Sequence, residues 1–69
     1  MHVPIDTSYI KLDSFLKMVC AVSSGGEAKI VIAEGEVLTN EEVETRRGRK
    51  LYPGDRVTFG EHEYTVTAA

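Results

Sequence analysis

Between Leu12 and Cys20 the apolar residues Leu12, Phe15, Leu16, Val19 and Cys20 recur at spacings of three and four, with Asp13, Ser14 and Lys17 between them. A period of 3.6 puts the first set on one side of a helix and the second on the other, so a helix is expected from Leu12 to Val22 or Ser23. Cys20 then belongs to the inner stripe as a small buried hydrophobe without a catalytic role. Ser24-Gly25-Gly26-Glu27 has the S-x-x-E form of a capping box, in which the serine oxygen accepts a first-turn N–H and the glutamate reaches back. A second helix therefore starts there. Ala28, Val31 and Ile32 give it an apolar face that Ile30 widens, and Gly35 is placed to end it in the left-handed conformation. Almost nothing joins the two helices, so they must pack as an angled pair.

After Gly35 the period falls to two or becomes irregular, and Glu36–Thr39, Glu42–Glu44, Arg56–Phe59 and Glu63–Thr67 read as short strands. Tyr52-Pro53-Gly54-Asp55 suits a type II turn, with proline second and glycine third. Gly60-Glu61-His62 reads as a hairpin connection. Met1 to Ser8 holds Pro4 and little periodicity, which suggests an extended N-terminal arm. The expected class is α+β: two short helices packed on a small, strongly bent sheet.

A chain of 69 residues has room for one domain and one core. A single cysteine and two distant histidines supply neither a disulfide nor a zinc ligand set, so the fold must rest on its apolar core, and no cofactor or metal is expected. No apolar run is long enough to span a bilayer, and the start, MHVPIDTSYI, lacks a basic stretch followed by an apolar one. No membrane association is expected, and a cytoplasmic location is.

The net charge of −3 conceals a segregation. The run RRGRK, residues 46–50, holds four of the eight basic residues and no acid, which leaves the rest of the chain four basic against eleven acidic side chains. The chain is an acidic body with one basic patch, and such a body repels polyanions except where the patch leads. Arg46, Arg47 and Arg49, expected to be exposed, can each fork onto phosphate oxygens, Lys50 adds a point charge, and Gly48 lets the backbone approach closely or turn. A solvated surface loop is the plain alternative. The start of the second helix is the other candidate. Gly25 and Gly26 leave backbone N–H groups unshielded at the positive end of the helix dipole, and Lys29 follows one turn on. A tight turn between helices explains the same glycines, and the two readings are compatible. Stacking platforms are scarce, with Tyr52, after the basic run and before a turn, as the candidate and Tyr64 read as core. Glu41, Glu42 and Glu44 read as a polar strand edge. Neither they nor the histidines form a catalytic constellation, so no enzyme is expected.

Taken in order, Lys11-Leu12-Asp13-Ser14-Phe15-Leu16, Ser24-Gly25-Gly26-Glu27-Ala28-Lys29, Glu34-Gly35-Glu36-Val37, Asn40 and Pro53-Gly54-Asp55 resemble the landmarks of the S4-like RNA-binding domain. More closely, Ser24-Gly25-Gly26, Ala28-Lys29, the run from Glu44 to Lys50 and Gly54-Asp55 look like the short stand-alone bacterial proteins of the YaaA and YbcJ type. The resemblance covers residues 9–67. It implies an L-shaped RNA-binding face, the alpha-L motif, in which the start of the second helix and the following β-loop meet the RNA backbone. By position it nominates Ser24, Gly25, Gly26, Lys29, Arg46, Arg47, Arg49 and Lys50, the residues singled out above. Two positions depart from the pattern: Gly25 stands where many such domains have arginine, and Glu41 where many have glycine.

The function expected is a non-catalytic, monomeric binder of structured RNA, ribosomal or transfer RNA, reading backbone shape in ribosome assembly, translation or RNA handling, with ribosomal particles as the larger partner. The competing expectation is a protein-interaction adaptor that docks its basic loop on an acidic protein surface.

Overall fold

The computed structural model describes residues 1–69. The chain runs through β1 (His2–Ile5), β2 (Ile10–Lys11), α1 (Leu12–Met18), α2 (Gly25–Ala33), β3 (Val37–Thr39), β4 (Glu42–Val43), β5 (Lys50–Leu51), β6 (Arg56–Phe59) and β7 (His62–Ala68). Five strands form one sheet in the order β1-β7-β6-β3-β4, antiparallel except for the β1–β7 pair, while β2 and β5 form a separate antiparallel pair. The α+β class, with two short helices and a small sheet, is as expected.

The sheet alternates as a one-sided sheet must. Val37, Val57, Tyr64 and Val66 are buried on the inner face, whereas Thr58, Glu63 and Thr65, at the intervening positions, remain half-buried or exposed. Leu12, Phe15 and Leu16 of α1, with Ala28 and Ile32 of α2, complete the core, and Leu51 of β5 and Ile5 of β1 belong to the same buried cluster. Phe15 meets Tyr64 edge to face, with ring centroids 5.9 Å apart.

Several expectations are corrected here. Within the segment read from the sequence as an extended arm, residues 2–5 form a strand that pairs in parallel with β7, from His2 opposite Thr65 to Ile5 opposite Ala68, while residues 6–8 bend. Helix α1 stops at Met18 rather than at Val22 or Ser23. Cys20 takes a left-handed φ of 60°, its N–H donates to the Lys17 carbonyl, and the Ala21 N–H donates to that of Leu16, the hydrogen-bond pattern of a Schellman stop. Cys20 is therefore exposed, not buried in the helical stripe. Helix α2 ends the same way, with Gly35 at φ 77° and bonds from Gly35 to Ile32 and from Glu36 to Val31. Its inner face is narrower than expected: Ala28 and Ile32 are buried, Val31 is half-buried and Ile30 is exposed.

The turns follow their residues. Gly54 has φ 101°, and the Asp55 N–H donates to the Tyr52 carbonyl, closing the Tyr52–Asp55 turn. Phe59 faces His62 across the Gly60-Glu61 hairpin, which starts β7 one residue earlier than expected. Thr39 faces Glu42 across Asn40-Glu41, and both turn residues are left-handed, at φ 52° and 73°. The tight turn thus forms without its usual glycine. Asn40 compensates by accepting the Arg56 N–H on Oδ1 and donating from Nδ2 to Asp55.

Candidate nucleic-acid interface

The basic run is organised by a residue that sequence reasoning set aside as a strand edge. Glu44 is 6% exposed, and its N–H donates to the Val37 carbonyl, which fixes it beside β3. Its carboxylate accepts Arg46 Nε at 2.9 Å and Arg46 Nη2 at 3.1 Å, the forked geometry of a guanidinium on a carboxylate. It also accepts Arg49 Nη1 at 2.8 Å and the Arg46 backbone N–H at 3.1 Å. The bonds from Arg46 foremost, joined by those from Arg49 and opposed by burial, hold the Glu44 pKa down at about 2. The three arginines are therefore not equivalent, contrary to the expectation that all would be exposed. Arg47 is exposed and has no ion-pair partner, Arg46 is exposed with one edge of its fork on Glu44, and the Arg49 side chain is only 29% exposed.

The backbone of the run is anchored to α1. No side chain caps that helix. Instead the Arg49 carbonyl accepts the Leu12 N–H at 2.8 Å and the Arg47 carbonyl accepts the Asp13 N–H at 3.1 Å, pairing donors that a helix start otherwise leaves open. The pairing of β2 with β5 sets Lys11 opposite Lys50 and adds Lys11 to the basic patch, a position that shows only once the two strands meet. Lys50 Nζ lies 4.9 Å from the centroid of the Tyr9 ring, within range of a cation–π contact.

At the other end of α1 lies the start of α2. Ser24 Oγ accepts the Glu27 N–H at 3.1 Å, as a capping box requires. The reciprocal half is shifted by one residue: Glu27 Oε1 accepts the N–H of Ser23 at 2.7 Å and its hydroxyl at 2.9 Å, not the N–H of Ser24. These bonds, the backbone one first, lower the Glu27 pKa. The N–H groups of Gly25 and Gly26 donate to no group of the chain. Lys17 Nζ stands 3.8 Å from where a Cβ on Gly25 would be, so a cation missed in the sequence reading hangs over this helix start; Lys29 is exposed one turn on. An open groove of about 530 Å³, lined by Lys17, Ser23 and Glu27 among others, runs beside it.

The nominated residues thus form two groups. Arg46, Arg47, Arg49 and Lys50 sit at the N-terminal end of α1, and Ser24, Gly25, Gly26 and Lys29 beyond its C-terminal end, where Lys17 approaches Gly25. Seven helical residues separate the ends by about 10 Å. Both groups offer donors and positive charge, with Arg47, Lys50, Lys11 and Lys29 exposed. The arrangement suits a ligand carrying phosphates at more than one point.

A domain of two helices on a mixed sheet, with a basic loop locked to its first helix, defines a class of small domain, and a family model described as the S4 domain matches residues 3–67. The chain belongs to the S4 domain family. It is 53% identical over 55 residues to a Bacillus subtilis (strain 168) protein named "Probable ribosome maturation protein RlbA", covering 80% of this chain and 78% of that one. It is 40% identical over 60 residues to an Escherichia coli (strain K12) protein named "Putative RNA-binding protein YbcJ", covering 87% and 86%. The solution structure of YbcJ from E. coli, described as revealing an alfaL motif involved in RNA-binding, aligns with a TM-score of 0.70 and 35% identity over 99% of this chain and 85% of that one.

Proposed function

We propose that the protein is a non-catalytic RNA-binding module that grips the phosphate backbone of folded RNA, ribosomal or transfer RNA, in ribosome assembly or a related step of translation. The observation that carries the reading is the placement of two donor-rich groups at the two ends of α1. The basic loop is fixed by bonds to Leu12 and Asp13, and the open N–H groups of Gly25 and Gly26 lie at a helix start where Lys17 Nζ approaches Gly25. In an acidic chain, these are the surfaces a polyanion can approach. The names of the relatives, an RNA-binding protein and a ribosome maturation protein, support the same reading. Phosphate contacts position an RNA without reading its bases, so the protein should prefer folded RNA to an unstructured strand of equal length and discriminate little among sequences of one shape. Affinity capture from lysate with and without ribonuclease tests this. Co-purifying RNA, with any captured proteins released by ribonuclease, is the expected result. Capture of the same proteins after ribonuclease, with no RNA, would favour the adaptor reading and overturn this one.

A further inference from the structure

Next to the basic loop is an aromatic pair that phosphate contacts leave unused. Tyr9 and Tyr52 are 36% and 49% exposed, and their ring centroids are 6.0 Å apart at an interplanar angle of 47°. They come from distant parts of the chain, brought together by the pairing of Ile10 with Leu51 and of Lys11 with Lys50. Tyr9 is engaged by Tyr52 and by Lys50 Nζ at 4.9 Å, whereas the Tyr52 ring makes no cation contact and is the more exposed.

The mounting of Tyr52 is rigid. Its N–H donates to Asp55 Oδ2 at 2.8 Å, and its carbonyl accepts the Asp55 N–H at 2.9 Å. The same turn is tied to β7 by the Gly54 N–H to the Val66 carbonyl and the Val66 N–H to the Asp55 carbonyl. With its backbone pinned and its ring in contact with Tyr9, Tyr52 has less freedom to lose when a base lies on it than a ring on an untethered loop. Lys50 follows Arg49 directly and precedes Leu51 and Tyr52, so the platform is continuous with the loop expected to hold phosphates.

We propose that Tyr52, backed by Tyr9 and flanked by Lys50, is a stacking platform for one unpaired nucleobase, so that the RNA recognised is a helix with a splayed base at a loop, bulge or end. The inference rests on the RNA-binding reading and names the class of RNA. Stacking tolerates any base, since every base has a π-face, so the platform adds a requirement for an unpaired nucleotide without adding a sequence.

The test uses the full chain in fluorescence-anisotropy titrations against a pool of stem-loops with a randomised loop, and against the blunt duplex of the same stem. Wild type should bind the stem-loops about fivefold or more tighter than the duplex. Tyr52→Ala should lose that preference while keeping its duplex affinity and its thermal midpoint, and Tyr52→Phe should retain the preference. A Tyr52→Ala protein that still prefers stem-loops, or a wild type that binds duplex and stem-loops alike, overturns the platform and leaves the phosphate grip standing. A wild type that binds neither RNA overturns both.

Discussion

Glu44 shows how one side chain sets the chemistry of its neighbours. Its carboxylate is covered and carries bonds from two arginines, so Glu44→Gln should lower stability by roughly 2 kcal/mol, the scale of hydrogen bonds to a charged group. The effect should depend on pH. With the folded pKa at about 2 against an ordinary 4.5, the carboxylate stabilises the fold fully above about pH 4.5, and the contribution is lost as pH falls toward 2. Thermal midpoints of wild type and Glu44→Gln should therefore differ at pH 7 and converge toward pH 2; a constant gap would show that the ion pair is not its source. This role was not legible in the sequence, because Glu44 is distinguished from Glu41 and Glu42 only by its backbone bond to Val37 and by where Arg46 and Arg49 fold back. The same fold-back changes what arginine substitutions report. Replacing Arg46, Arg47 and Arg49 together would strand the Glu44 carboxylate and perturb the fold, whereas Arg47→Ala removes an exposed charge that no carboxylate holds.

At the scale of elements, what was legible was what is local. The start of α2 could be read because Ser24 and Glu27 lie within one turn of each other, and Gly35 marked its end. Ser24→Ala should cost about 1 kcal/mol in denaturant unfolding, since Ser24 Oγ is the acceptor for the Glu27 N–H. An unchanged midpoint would mean that the cap does not hold this helix. The end of α1 was not legible, because apolar spacing continues through Val19 and Cys20 after the backbone has already turned. Both helices close with the same bonds, one using Gly35 and the other Cys20, so the two ends provide an internal comparison. A left-handed φ costs a residue with a Cβ about 1–2 kcal/mol, part of which glycine gives back through its freer unfolded chain. Cys20→Gly should therefore raise stability by about 0.5–1 kcal/mol, measured as a higher midpoint in urea. A lower midpoint would show that Cys20 contributes packing outweighing its strain.

For the molecule as a whole, the fold class was legible from a helical period followed by an alternating one, but the closure of the sheet was not. Strand β1 joins β7, more than sixty positions along the chain, and β2 joins β5 across both helices; no local pattern in His2–Ile5 or Ile10–Lys11 announces a partner. Those pairings bring Lys11 and Tyr9 to the basic loop, and the packing of α1 beside α2 brings Lys17 to the second helix start. The candidate site was thus legible as two runs of residues, while the cations and the ring that join them emerge only from the assembled fold. The most direct measurement of the phosphate grip is the salt dependence of binding to a folded RNA by wild type, Arg47→Ala and Gly26→Glu. Gly26 is exposed, and a Cβ there would meet nothing closer than Ser24 Oγ at 3.8 Å, so the glutamate should fit and, in a first turn that favours acids, should not destabilise the helix. Arg47→Ala should flatten the slope of log affinity against log salt by about 0.7–0.9. Gly26→Glu should weaken binding with an unchanged melting temperature. Wild-type affinity and slope in both variants would contradict the account.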